Sequence, residues 1–369
     1  MLDINNFFLN SKNFYKNLKK TKKAIKSLKF EIKNFQIPLL ESYEKNYEFS
    51  FSTSTLKKFS KYNNIIIIGM GGSILGTKAI YSFFRHKIKK KIFFFDNLDS
   101  NLHLEYNKLQ NLTNSCFIVV SKSGNTLETI ANLNLILSKS LLKNKLVIIS
   151  EIKSSNLMNT ASKYNAEVIE HKAFIGGRYS VLSEAGMFPA GLMNLNITKF
   201  KNLKKLINNK LFLTSLAKNV SSIYTLNKKG FRNSVILNYS SRFDDLCLWQ
   251  QQLVGESLGK KNKGITPIIS KCPKDHHSLM QLYLDGPKDK FFTFFSSFEN
   301  RNNKINSIVS AQCEATIKVF RKKKIPYRHF IFKKNDESEL GLVFTFFVLE
   351  TILLARMMNI NPFNQPAVE

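Results

Sequence analysis

Two short stretches of this chain have the composition needed to hold an anion. In the first, Asn64-Ile65-Ile66-Ile67-Ile68 runs into Gly69-Met70-Gly71-Gly72-Ser73. In the second, Cys116-Phe117-Ile118-Val119-Val120 runs into Ser121-Lys122-Ser123-Gly124-Asn125-Thr126. Each is an apolar strand, a loop of small residues and then a helical pattern. Glycine lets the backbone come close to a ligand, and the N–H groups at a helix start favour negative charge. Loops at the carboxyl ends of parallel strands are also where open α/β sheets bind ligands. The pattern points to a small phosphorylated molecule. Ser121, Ser123 and Thr126 place three hydroxyls around one helix start. Such a set can bind phosphate without a fixed cation, or serve as an ordinary helix cap. The first loop is less specific, because glycine-rich turns also bind dinucleotides or simply permit tight packing. A dinucleotide site wants G-x-G-x-x-G, and here Ile74 holds the sixth position, although Asp96 stands where the accompanying carboxylate belongs.

These loops must be positioned by the elements around them. Ile65–Ile68, Ile92–Phe95, Phe117–Val120, Val147–Ile149 and Glu167–Ile169 read as strands, with helices over Leu75–Phe84 and Thr126–Leu137. Asn125 with Glu128 three residues later resembles a capping box, which supports a helix directly after the second loop. Residues 183–229 read as helical. A second alternating set follows, with strands over Val235–Asn238, Ile265–Ile269, Phe291–Phe295 and His329–Phe332. Its helices are expected over Asp244–Ser257, His277–Leu284, Ile308–Phe320 and Leu340–Met358. The alternation predicts an α/β chain built on two doubly wound parallel sheets with helices on both faces. The expected division is a helical arm over residues 1–60, a first α/β domain over 61–195 and a second over 196–369.

A chain of 369 residues with 43% hydrophobic and 22% charged residues is a soluble globular protein in composition. Its formal charge of +30 raises the question of a nucleic-acid partner. The 56 basic residues comprise 48 Lys and 8 Arg, however, and the lysines are scattered over the whole length. Base edges and phosphate forks are read mainly by Arg, so the charge reads as a solvated surface that can steer an anionic substrate. Cys116, Cys247, Cys272 and Cys313 show no paired spacing. Neither a zinc site nor a disulfide framework is expected, and a reducing cytoplasm fits. The amino terminus is too polar for a signal peptide. Leu340–Met358 comes nearest to a membrane span, but Glu350 and Arg356 interrupt it and a buried helix is expected. Neither a membrane nor a nucleic acid is an expected partner.

The second loop resembles the Ser-x-Ser-Gly-x-Thr phosphate loop of the sugar-isomerase (SIS) domain. Further motifs are similar to those of the glucose-6-phosphate isomerase (phosphoglucose isomerase) family. Gly176-Gly177-Arg178-Tyr179-Ser180 matches its Gly-Gly-Arg-(Tyr/Phe)-Ser. Gln252-Leu253-Val254-Gly255-Glu256-Ser257-Leu258-Gly259-Lys260 resembles Gln-x-x-x-Glu-Ser-x-Gly-Lys, and His276-His277-Ser278-Leu279-Met280-Gln281-Leu282 resembles Gln-His-Ser-x-x-Gln-Leu. Pro362-Phe363-Asn364-Gln365-Pro366-Ala367-Val368-Glu369 is similar to the closing Pro-Phe-Asp-Gln-x-Gly-Val-Glu. The resemblance runs from about residue 60 onward. It implies an aldose–ketose isomerase acting on glucose 6-phosphate and fructose 6-phosphate, a homodimer that needs neither metal nor organic cofactor.

Residue by residue, the resemblance implies that Ser121, Lys122, Ser123 and Thr126 hold the phosphate and that Gly72 and Ser73 meet the sugar. Gln252 and Gln365 orient the substrate, Glu256 moves the proton between C2 and C1, Arg178 stabilises the enediolate and His277 opens the ring. The residues suit those tasks. Proton transfer between neighbouring carbons needs a carboxylate base, and Gly255 and Gly259 leave room beside Glu256. The negative intermediate needs a fixed positive partner, and Arg178 is one of only 8 arginines. Histidine titrates near neutrality, as ring opening requires; His86, His103, His171 and His329 read as structural. His276 stands where the family has Gln, a departure that either shifts the pKa of His277 or points to solvent. The resemblance also implies a lysine seven positions after Gln365, near position 372, past Glu369. Related isomerases of mannose 6-phosphate or amino-sugar phosphates, and a non-catalytic sugar-phosphate-binding protein, are the alternatives.

Overall fold

The computed structural model describes residues 2–7, 9–107, 112–137, 142–297 and 303–368. The chain divides into two compact units, one of residues 38–201 and one of residues 1–37 with 202–369. It begins with strand β1 (Leu2–Asn6), helix α1 (Lys12–Lys33) and helix α2 (Thr53–Ser60). The first alternating set is β2 (Asn64–Gly69), α3 (Gly72–Phe84), β3 (Lys91–Phe95), α4 (Ser100–Asn107), β4 (Ser115–Val120), α5 (Leu127–Leu137), β5 (Leu146–Ser150), α6 (Asn156–Tyr164) and β6 (Glu167–Glu170). Helices α7 (Glu184–Leu192), α8 (Leu203–Leu206) and α9 (Lys210–Lys228) come next. The second set is β7 (Asn233–Asn238), α10 (Asp244–Leu258), β8 (Thr266–Lys271), α11 (Met280–Asp285), β9 (Lys290–Ser297), α12 (Lys304–Lys322), β10 (Tyr327–Phe332) and α13 (Glu337–Met358).

In the 38–201 unit the strands lie in the order β3-β2-β4-β5-β6, all parallel. Ile65–Ile68 and Cys116–Val120 are unbroken apolar runs because both faces of the sheet are covered. Ile65, Ile67, Ile118, Val120 and Ile149 face Phe59, Phe188 and Leu192 on one side. Ile66, Ile68, Phe117, Val119 and Ile148 face Leu133, Ile136 and Leu157 on the other. Each isoleucine so enclosed contributes roughly 1.5–3 kcal/mol relative to exposure. The loops after β2 and β4 are therefore anchored at their amino ends by strands buried along almost their whole length.

The other unit carries the order β1-β10-β9-β7-β8, with β1 antiparallel to β10 and the remaining pairs parallel. The expected two parallel sheets are present, and this one gains an antiparallel edge strand that the alternation does not announce. Residues 1–60 do not act together as one arm. Strand β1 and helix α1 belong with residues 202–369, where α1 buries Thr21, Ile25 and Leu28 and leaves most of its lysines outward. Helix α2 belongs to the 38–201 unit. Helix α13 is, among the described residues, the one helix long and apolar enough to cross a membrane, yet most of that stretch is buried inside the protein. Both charges that interrupt it are paired: Glu350 meets Arg328, which also bonds Asn219 (3.1 Å) and Thr293 (3.0 Å), and Arg356 meets Glu31. A buried pair of this kind costs desolvation unless its remaining donors are satisfied, and Asn219 and Thr293 satisfy them.

The 38–201 unit also buries a lysine. Among the described residues the ammonium of Lys201 has no hydrogen-bond partner, and it sits over the rings of Phe49 (3.8 Å) and Tyr47 (4.3 Å). Tyr47 donates its hydroxyl to Glu184 (2.9 Å), as Ser50 donates its N–H (3.1 Å). Burial pushes Lys201 down to about 7 from its ordinary 10.5, against the pull of Glu184. The unfolded chain thus binds more protons than the folded one between about pH 7 and 10.5, and stability rises with pH across that window. Lys201→Met lacks this titration. The melting temperature of the parent, measured relative to Lys201→Met by calorimetry, is expected to climb from pH 7 to pH 10 and to stay level below pH 6. A constant difference over the whole range would contradict the burial of a charged amine.

Candidate active site

Arg178 is placed by a meeting of two glycine motifs. It lies in a six-residue 3-10 helix, Gly177–Leu182, and is buried, with its guanidinium 5.1 Å from the ring centre of Tyr179. A Cβ on Gly72 would stand 2.4 Å from the carbonyl carbon of Gly177 and 2.5 Å from the nitrogen of Arg178. Only glycine allows the start of α3 and the peptide before Arg178 to lie backbone on backbone. Ser180 fastens the contact by donating its hydroxyl to the Gly177 carbonyl at 2.8 Å. Tyr43 donates to the carbonyl of Tyr179 at 3.0 Å. Gly72 and Ser73, expected to meet a sugar, are thus neighbours of Arg178 in the same unit.

The loop after β4 is tightly self-bonded. Ser121 and Thr126 hydroxyls are 2.9 Å apart, and the N–H of Gly124 donates to the Ser121 hydroxyl at 3.2 Å. The N–H of Asn125 donates to the Ser123 hydroxyl, also at 3.2 Å. Gly124 has φ of +72°, and a side chain there would run into Ser155. Two of the three hydroxyls, Ser121 and Thr126, thus meet just before α5, with Ser123 in the same loop bonded to the Asn125 N–H. Asn125 is not the cap of its own helix. Its side-chain oxygen accepts the N–H of Asn156 at 2.9 Å, which ties the loop to α6. Lys122 turns along the surface: its ammonium donates to the carbonyl of Ala173 (2.6 Å) and lies 3.7 Å from Glu151. Burial raises the Glu151 carboxyl, but Lys153 and Lys122 outweigh it and hold the group below its ordinary value.

The 1–37/202–369 unit carries the carboxylate. Glu256 is on α10, one turn after Gln252, and each of its oxygens accepts an amide N–H. Gln252 donates to one at 2.7 Å and Gln365 to the other at 2.6 Å. The clamp fixes the plane of the carboxylate. The carbonyl oxygen of Gln252 is buried, with no donor among the described residues. Gln365 reaches α10 because two lysines just beyond that helix hold the tail: Lys260 donates to the Asn361 carbonyl (2.7 Å) and Lys263 to that of Met358 (2.8 Å). A Cβ on Gly255 would meet nothing within 4 Å, so the space beside Glu256 is open.

His277 is exposed, in a turn that follows the short helix Lys274–His276. The expected helix starts later, at Met280. The cause is Asp275, whose carboxylate takes the N–H of Lys271 (2.7 Å) and the hydroxyl of Ser270 (3.1 Å), bonds that hold the chain in a turn. His276 does not point to solvent. It is half-buried with its ring 2.7 Å from the Tyr239 hydroxyl, and burial together with His277 lowers its pKa. His171 and His329 are buried, in keeping with structural roles, and the His103 side chain lies outside the described residues. Among the described residues no cluster of His, Cys, Asp and Glu could hold a metal ion.

A family model, phosphoglucose isomerase, matches residues 45–271. The chain belongs to the phosphoglucose isomerase family. Its relatives in that family include the glucose-6-phosphate isomerase of Methanocaldococcus jannaschii, 34% identical over 85% of this chain and 83% of that one. The enzyme of the same name from Campylobacter jejuni is 30% identical over 83% of this chain and 82% of its own. Among solved structures, a hypothetical protein from Thermus thermophilus superposes with a TM-score of 0.83 at 21% identity, covering 100% of this chain and 97% of the other. A glucose-6-phosphate isomerase from Chlamydia trachomatis gives 0.73 at 22% identity, over 85% and 69%. These likenesses are ones of fold. The two lysines that hold the tail were not singled out from the phosphoglucose isomerase motifs, although Lys260 closes one of them.

Two glycines test the packing in opposite directions. Gly72→Ala forces its methyl into the Gly177 backbone and is expected to cost about 1–3 kcal/mol, the usual penalty of overpacking. Gly255→Ala, in a helix with space beside it, is expected to gain roughly 0.5–1 kcal/mol from helix propensity. Thermal melts of the two variants check the pair; equal shifts would contradict the backbone contact at Gly72.

Proposed function

We propose that this member of the phosphoglucose isomerase family interconverts glucose 6-phosphate and fructose 6-phosphate through an enediolate. The observation that carries the reading is the Glu256 clamp. Gln252 and Gln365, far apart in sequence, each present an N–H to one carboxylate oxygen, which aims a base rather than burying a charge. The name of the relatives, glucose-6-phosphate isomerase, supports glucose 6-phosphate as a substrate.

In this reading Ser121, Ser123 and Thr126 receive the phosphate through hydroxyls and helix-start N–H groups, with Lys122 adding charge to the loop's approach and Gly72 and Ser73 meeting the sugar. His277 moves the proton from the anomeric hydroxyl to the ring oxygen as the ring opens. Glu256 removes the proton from C2, and the electron pair shifts toward the carbonyl at C1. The resulting enediolate oxygen carries a negative charge, which the guanidinium of Arg178 balances. Glu256 then returns its proton to C1 while the proton of the C2 hydroxyl passes to the C1 oxygen and a carbonyl forms at C2, so that no electron or proton is gained or lost overall. The unpartnered carbonyl of Gln252 accepts a substrate hydroxyl. No metal or organic cofactor enters these steps. A cytoplasmic homodimer accompanies this reading, and a one-chain mass in sedimentation would remove the dimer.

Glu256→Gln keeps the side chain's size and loses its basicity. It is expected to bind glucose 6-phosphate nearly as the parent does, while exchange of the C2 hydrogen with deuterated solvent falls by roughly 10²–10⁴-fold. Exchange at the parental rate, followed by proton NMR, would take Glu256 out of the proton-transfer role.

A further inference from the structure

The two sheets share one strand plan. In the 38–201 unit, β2 has its successor β3 on one side and β4 on the other; in the second unit, β7 has β8 and β9 in the same places. At such a point the strand order reverses, and the crevice outside the carboxyl ends of the flanking strands is where open α/β sheets take ligands. In the 38–201 unit that position is held by the Gly71–Ser73 turn and the Ser121–Thr126 loop. In the second unit the corresponding place is a cavity of about 320 Å³. Its wall includes Ser240, Ser241 and Arg242 from the loop after β7, Ser296 and Ser297 at the end of β9, and Ser310 in the second turn of the 19-residue helix α12.

The polar groups of this wall are of two kinds. Ser296 is 2.7 Å from His329, and Ser297 and Asn335 exchange hydrogen bonds. Among the described residues, by contrast, the hydroxyls of Ser240, Ser241 and Ser310 have no protein partner. Arg242 is the one charged side chain among the lining residues, and no carboxylate is among them. Asp244, two residues further on, is held by Asn238 (2.8 Å) and Lys271 (3.0 Å). Open hydroxyls in a wall that includes an arginine, with no carboxylate among the lining residues to repel an anion, suit a doubly charged oxyanion. The volume is at the low end of small-molecule sites, which fits a phosphate carrying little else.

We propose that this cavity is a second binding site for a phosphate dianion, either free phosphate or the head of a small phosphorylated metabolite, separate from the Ser121–Thr126 loop and outside the reaction. It gives the chain a sensor for the same chemical group at the mirror position of its second sheet.

The test titrates the full chain with inorganic phosphate by calorimetry, at low ionic strength, and repeats it with glucose 6-phosphate. Two phosphate sites per chain are expected. Arg242→Gln and, independently, Ser310→Val each weaken one of them by about tenfold or more, Arg242→Lys restores most of the loss, and Thr126→Val weakens only the other. Glucose 6-phosphate filling both sites identifies the ligand as a phosphorylated metabolite, whereas its confinement to the Thr126-dependent site identifies free phosphate. A single site abolished by Thr126→Val overturns the proposal, as do two sites that both ignore Arg242→Gln and Ser310→Val. Because Ser310 and Arg242 lie on different elements, a folding defect in one variant leaves the other to decide.

Discussion

Arg178 is placed by a contact in which no side chain takes part. The peptide joining Gly177 to Arg178 rests on the backbone of Gly72 at a distance that a single methyl group would violate. Gly76 and Gly186 press on Val181 in the same way, so α3, the 3-10 turn and α7 are drawn together by the absence of side chains. Glycine inside a helix costs about 1 kcal/mol against alanine, and that cost is accepted here at three positions. What is obtained is an arginine whose backbone is set against a loop that is anchored in turn by β2, a strand buried on both faces. Rigidity in the sheet is thereby transmitted to a charge.

Glu256 is placed by opposite means. Its scaffold is a chain of polar contacts that begins at carbonyls near the end of α13, passes through Lys260 and Lys263 to the tail and ends in the Gln365 amide. Lysines that satisfy carbonyls left open at a helix end are common. Here they also set the distance from which Gln365 can reach α10. The turn that carries Arg178 is thus set by close backbone packing, fastened by Ser180 and Tyr43, whereas Glu256 is set by a longer chain of hydrogen bonds.

Much of this organisation was legible before any coordinates. The runs Ile65–Ile68 and Phe117–Val120 can only be strands covered on both faces, and the strand–loop–helix succession places Ser121 and Thr126 at a carboxyl edge. The quoted motifs singled out Glu256, Arg178 and Gln365. What escaped depends on partners remote in sequence or on local side-chain competition. The pairing of Leu2–Asn6 with Tyr327–Phe332 leaves no trace in a five-residue segment this polar. The turn at His277 follows from Asp275 capturing neighbouring backbone, which periodicity cannot register. Asn125 and Lys122 look like a helix cap and a phosphate ligand by spacing; which groups they meet, Asn156 and Ala173, is decided by how the next loops return.

The position of β1 bears on how the polypeptide matures as it leaves the ribosome. Residues 38–201 form an uninterrupted unit whose sheet needs nothing synthesised later. The segment before it must wait, because its partner strand ends at residue 332. At roughly 5–20 residues per second, translation leaves that edge unpaired for tens of seconds. An unpaired edge invites intermolecular association, and the nine lysines of Lys12–Lys33 ride immediately behind it. Like charge of this density opposes close approach of two such segments.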